Sequence, residues 1–250
     1  MPSSKAAPST RRVSLALATI LAAGCFVSVA AQQPAPETPP SAAPQPPPPP
    51  RFVVLLDAAH GGDDPGGTLK TQAEKQFTLA LSVRLRSLLA ARGIQVVTTR
   101  ESDSTVDLNR RAEIANHANA QACLSLHASE SGAGAHLFVS SLPPVQPARF
   151  SAWKTAQAAW VTRSLALAGT LNSSLLQSGM TVTLGRTALL AVDSMTCPAV
   201  AIEIAPERGA DHQTTADLDD ADYQARVASA ITAALLEWRS GEWRTEARRP

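Results

Sequence analysis

The chain has 250 residues, with 22 Lys plus Arg against 21 Asp plus Glu and a formal net charge of +1. With no concentrated basic stretch in its folding part, it is excluded from the nucleic-acid binders, which need a basic face. Of its three cysteines, one (Cys25) lies in a leader, and two do not make a disulfide framework.

In chain order, residues 1–12 carry Lys5, Arg11 and Arg12 and no acid. Residues 13–31, VSLALATILAAGCFVSVAA, are apolar and small. A charged start, an apolar stretch and small residues at its end predict a secretory signal peptide over 1–31, and hence a periplasmic or secreted protein. A membrane anchor is the competing reading, since about 20 residues suffice to span, but the Ala, Ser, Thr and Gly content makes a weak span. Ala22-Ala23-Gly24-Cys25 also has the form of a lipobox, in which Cys25 carries the lipid and anchors the chain to the membrane. Arg11-Arg12 weakly resembles a twin-arginine export signal. Removing residues 1–31 takes three positive charges from +1 and leaves about −2. Residues 32–51 are proline-rich, which favours extended polyproline II and reads as a linker.

The remaining residues, 52–240, form one domain of ordinary size, followed by a charged tail over 241–250. Phe52–Leu56 is a compact apolar run that reads as a strand covered on both faces. Phe77, Leu81, Leu85, Leu88 and Leu89 recur at helical spacing and predict a helix over Glu74–Ala91. Ile94–Thr99 follows as a strand, Leu108–Ala120 as a helix and Ala122–Leu126 as a strand. A helix is expected from about Ser151 to Leu176, strands at Ala188–Val192 and Ala199–Ile204, and a closing amphipathic helix over 221–239. Strands alternating with helices predict an α/β fold: a mostly parallel twisted sheet flanked by helices, in a single domain. Cys123 and Cys197 adjoin apolar strand segments and are expected as buried free thiols.

Four side chains stand out. His60 follows the first strand in LLDAAHGGDDPGG, Glu74 opens a helix, His127 ends ACLSLH, and Glu203 interrupts the apolar run CPAVAIEIAPE. Singly, each has a bland explanation. A first-turn glutamate answers the helix dipole, and a histidine after a strand is commonly a hydrogen-bonded structural group. Glu203 is harder to dismiss, because a buried carboxylate is costly without a partner. Jointly, two imidazoles and one carboxylate with an open position make a catalytic zinc site, and a further carboxylate supplies a general base. His136, in GAGAHLFVSS, reads as a half-exposed strand histidine, and His117 and His212 as surface groups.

The segments LLDAAHGGDDPGG, AEKQFTLALSVRLRSLLAARGIQVVTTRESD, LNRRAEIANHANAQACLSLHAS and CPAVAIEIAPE resemble, in order, the zinc-dependent N-acetylmuramoyl-L-alanine amidases of the amidase-3 type. The likeness runs from about Val53 to Leu236. It implies His60, Glu74 and His127 as ligands of Zn2+ and Glu203 as the catalytic glutamate. It implies hydrolysis of the amide between N-acetylmuramic acid and L-alanine in peptidoglycan, in an open groove suited to a polymer. It also leaves room for a protein activator acting on an element within 143–180. Thr99-Arg100, Leu108 with Arg111, and Ala115-Asn116 match positions that look structural. Ala58-Ala59 replace the usual Pro-Gly, Ser129 replaces an Asn, and Ile204-Ala205-Pro206 replace the usual residues after the glutamate. The competing functions are a catalytically weak peptidoglycan-binding or regulatory module, and a zinc hydrolase for another amide.

Overall fold

The computed structural model describes residues 51–146 and 152–246. The leader 1–31, its Cys25 lipobox and all but the last residue of the 32–51 linker lie outside the described residues. Among the described residues there are eight strands: β1 (Val53–Ala58), β2 (Gln95–Thr98), β3 (Ala122–Ala128), β4 (Ala135–Ser140), β5 (Val182–Thr187), β6 (Ala199–Ile204), β7 (Glu207–Arg208) and β8 (Thr214–Ala216). The helices are α1 (Glu74–Ala90), α2 (Leu108–His117), α3 (Val161–Gln177) and α4 (Ala221–Glu246). Six strands form one sheet in the order β2-β1-β3-β6-β4-β5, and β7 and β8 make a small hairpin. Every neighbouring pair of the large sheet is parallel except β4 with β6. The mostly parallel α/β architecture expected from the sequence is therefore the one found.

Pleating sends alternate residues to opposite faces. One face carries Val54 and Leu56 of β1, Leu124 and Leu126 of β3, and Val200 and Ile202 of β6 into the large core beneath α1, α3 and α4. A fully buried leucine there contributes roughly 1.5–3 kcal/mol, so this seam dominates the stability of the sheet. The other face carries Leu55, Cys123 and Ala199 into a smaller core with Ala112 and Ala115 of α2 and Met195. Further along the strands the same face carries Asp57, Ser125, His127, Ala201 and Glu203. At the carboxyl ends of the strands, polar side chains take over where apolar packing stops. That is where ligands bind in parallel sheets.

Several sequence expectations are corrected. Cys123 and Cys197 form a disulfide, with Cα atoms 6.2 Å apart and a sequence separation of 74. The pairing of β3 with β6 brings together two cysteines that look unrelated along the chain. The helix expected over 151–176 is broken: residues 153–159 form a 3-10 segment with Thr155 outside helical geometry, and α3 starts only at Val161. The buried Gln157 amide donates to the carbonyls of Met195 and Cys197 and accepts from Ser164 Oγ, and this tertiary anchoring overrides the helical period. Ala188–Val192 is not a strand; Leu189, Ala191 and Val192 are apolar because they pack on the smaller core. The strand lies just before it, as the exposed edge β5. The second helix ends at His117, short of Ala120, where Asn119 turns left-handed with φ 48°. The tail is helical through Glu246, since α4 continues past 240; Trp238 Nε1 anchors it on Gln121 O. Among the described residues no helix is long and apolar enough to cross a membrane.

Candidate active site

His60 lies beyond the end of β1 in left-handed geometry, φ 61°. Its Nδ1–H donates to Asp64 Oδ2 at 2.8 Å, which turns Nε2 towards Glu74 Oε2 at 3.2 Å. The same bond holds the Asp64 carboxyl below the usual carboxylate range. The chain bends back so closely that Gly66 has no room for a side chain. A Cβ there would sit 2.6 Å from His60 Cδ2 and 2.7 Å from Glu74 Oε2.

Glu74 is the first residue of α1 and is buried. Its Oε2 accepts from Gly67 N–H at 2.8 Å, and its Oε1 from Ala128 N–H at 3.1 Å. His127 Nδ1 lies 3.0 Å from the same Oε1. Burial alone would raise the pKa of this carboxyl. The bonds from His127 and the two backbone amides outweigh it and bring the value down from 4.5 to about 2. The ionised form is therefore built into the fold, as a ligand requires.

His127 lies inside β3 rather than after it. Its ring stands edge-on to that of His60, with centroids 5.5 Å apart. One donor atom each from His60, Glu74 and His127 lies within 4.8 Å of the others. Tetrahedral zinc with bonds of about 2.0–2.2 Å separates its ligand atoms by roughly 3.3–3.5 Å. His60 Nε2 lies 3.2 Å from Glu74 Oε2 and His127 Nδ1 lies 3.0 Å from Glu74 Oε1, close to that separation, and the nitrogen–carboxylate donor set fits zinc.

Glu203 in β6 is the ladder partner of His127 on one side and of His136 in β4 on the other. The three side chains leave the same face of the sheet in one row. His136 bonds through Nδ1 to Thr183 Oγ1 at 2.6 Å, which extends the row to β5. His60, Glu74 and His127 thus converge, with Glu203 one strand away from His127 on the same face, while His117 and His212 are exposed as expected.

Sequence reasoning missed Asp64, although it lies one helical turn's spacing after His60 in the quoted GGDDPGG. It treated Arg100 and Arg111 as structural, and both are buried. Their roles are local to the site. Arg100 donates to the carbonyls of Ala58, Ala59 and Lys75, and so ties the His60 loop to the first turn of α1. A cavity of about 550 Å³ opens beside His60 and His127, walled by residues 105–108 and 188–192.

The family model described as N-acetylmuramoyl-L-alanine amidase (Amidase_3) matches residues 54–237. The sporulation-specific N-acetylmuramoyl-L-alanine amidase of Bacillus subtilis (strain 168) is 39% identical over 75 residues, which are 29% of this chain and 29% of that protein. The CwlM amidase of Bacillus licheniformis is 37% identical over 75 residues, 29% of this chain and 30% of its own length. The matched part thus spans less than a third of either curated relative. The catalytic domain of the CwlV amidase from Bacillus (Paenibacillus) polymyxa var. colistinus superposes with a TM-score of 0.58 at 26% identity, covering 76% of this chain and 98% of that one. Ami1 from Mycobacterium smegmatis shares the fold with a TM-score of 0.62 at 21% identity, covering 76% and 97%. With its family match running through almost the whole described domain, the chain belongs to the Amidase_3 family of N-acetylmuramoyl-L-alanine amidases.

Proposed function

We propose that this chain is a zinc-dependent amidase that cleaves the bond between N-acetylmuramic acid and L-alanine in peptidoglycan, with His60, Glu74 and His127 as ligands and Glu203 as the catalytic carboxylate. The observation that carries the reading is the convergence of three donors, with Glu203 one strand away from His127. Bound zinc supplies Lewis acidity towards the scissile carbonyl and makes a nearby water more acidic. Glu203 accepts the proton of the attacking water on a carboxylate oxygen and delivers it to the nitrogen of the leaving amine. A non-catalytic binding module would not need Glu203 beside a complete donor set.

Export to the periplasm or exterior belongs to the same proposal. It is supported by the basic-then-apolar leader and by the Cys123–Cys197 disulfide, which suits an oxidising compartment. A protein activator is included on the pattern of the CwlD amidase of Clostridioides difficile, solved in complex with the GerS lipoprotein, at 22% identity to this chain.

Digestion of purified sacculi tests the reading. The expected products are stem peptides with a free L-alanine amino terminus, released by the zinc-loaded protein and not by chelator-treated protein. Release of other fragments, or release unaffected by chelation, would reject it.

A further inference from the structure

The two candidate histidine ligands reach the site in different ways, one from a strained loop and one from a strand. Both are nevertheless tied to one buried ion pair. Asp57, at the end of β1, and Arg111, on α2, are each almost wholly inaccessible and meet at 2.6 Å between Oδ1 and Nη1. Arg111 Nη1 also donates to Ala58 O at 2.7 Å, and its Nη2 donates to His60 O at 2.7 Å. The guanidinium therefore grips the carbonyl of the residue held at φ 61°, a conformation that costs an L-residue about 1–2 kcal/mol when unsupported.

The other oxygen of the same carboxylate leads to the second histidine. Ser125 Oγ donates its proton to Asp57 Oδ2 at 2.8 Å. That leaves the Ser125 lone pairs facing His127 Nε2 at 3.4 Å. When His127 gives its Nδ1 lone pair to a metal, its proton sits on Nε2, and Ser125 Oγ is the acceptor placed for it. Thr99 Oγ1 donates to Asp57 Oδ1 at 2.8 Å and completes the environment of the carboxylate.

We propose that Asp57 and Arg111, with Ser125 as the relay, are positioning residues for the metal centre, fixing the backbone of His60 and the ring tautomer of His127 together. This rests on the zinc reading above. The pair bonds to neither donor atom directly; it restricts the orientations the two rings can adopt, and so acts on metal affinity.

The test is zinc affinity of the full chain, measured by competition with a chromogenic chelator, alongside the melting temperature of the metal-free protein. Ser125→Ala removes one hydroxyl; it is expected to weaken zinc binding about 10- to 100-fold, the usual cost of losing an outer partner, with the metal-free melting temperature little changed. Ser125→Thr, which keeps the hydroxyl, is expected to retain affinity. Arg111→Lys keeps the charge but cannot span Asp57, Ala58 and His60, and is expected to weaken zinc binding at least as much. Should Arg111→Lys fail to fold, the Ser125 pair decides alone. Parental affinity in Ser125→Ala, or the same loss in Ser125→Thr, overturns the inference while leaving the zinc reading intact. A parent chain that binds no zinc overturns both.

Discussion

His127 and Glu203 are direct partners in the parallel ladder between β3 and β6, and their side chains leave the same face of the sheet. Neighbouring strands lie about 4.8 Å apart. A carboxylate one strand from a metal ligand can reach the solvent molecule that attacks the substrate. It need not enter the coordination sphere itself. The proposed division of labour between Glu74 and Glu203 leads to the first prediction.

Glu203→Gln keeps the shape of the side chain and removes its basicity. Zinc content is expected to remain near one per chain while sacculus hydrolysis falls by about 10²- to 10⁴-fold, the range of general acid–base contributions. Metal analysis and product release on the same preparation check it. Loss of zinc in this variant would mean that Glu203 is a ligand.

His60→Ala and His127→Ala each remove one of the three proposed protein donors. Zinc is expected to fall well below stoichiometric in both after gel filtration against a mild chelator. Glu74→Gln should behave alike, because the neutral amide replaces the anion that both imidazoles face. Full metal occupancy in His127→Ala would remove it from the ligand set.

Gly66→Ala tests the closeness of the loop. The added methyl would overlap His60 and Glu74, and φ +68° is unfavourable for alanine. The expected results are weaker zinc binding and a stability loss of about 1–2 kcal/mol from the backbone alone. Chelator competition and denaturant unfolding measure the two effects separately.

Acid should weaken the metal-free protein through Glu74. Its folded pKa, about 2, lies below the ordinary 4.5. Its contribution is thus present in full above pH 4.5 and is lost as pH falls towards 2. The shift corresponds to something on the order of 3 kcal/mol. Unfolding free energies of the parent and Glu74→Gln, both metal-free, should converge across that window. Curves that stay parallel from pH 5 to pH 2 would contradict the depressed value.

Reducing the Cys123–Cys197 disulfide releases a crosslink between residues 74 apart. Chain-entropy arguments put the stabilisation near 4 kcal/mol, within a usual range of about 2–5. The guanidinium midpoint of Cys123→Ala/Cys197→Ala should fall accordingly. An unchanged midpoint would show that the unfolded chain is not constrained by the bridge.

The sequence alone determined the architecture and singled out the four candidate site residues. Period-2 and period-3.6 apolar patterns report locally on which face is buried, and His60, Glu74, His127 and Glu203 each sit in a short context that marks an element end. What lay outside local pattern was decided by tertiary structure. Gln157 broke a helix by reaching carbonyls near 195, the apolar run 188–192 packed as a turn because a second core was there to receive it, and Cys123 met Cys197 only because β3 pairs with β6. The supports of the site were hidden for the same reason. Asp57, Ser125 and Arg111 are separated along the chain, and a hydrogen bond between distant residues leaves no periodic trace. Only the folded sheet brings them within bonding distance beneath the two histidines.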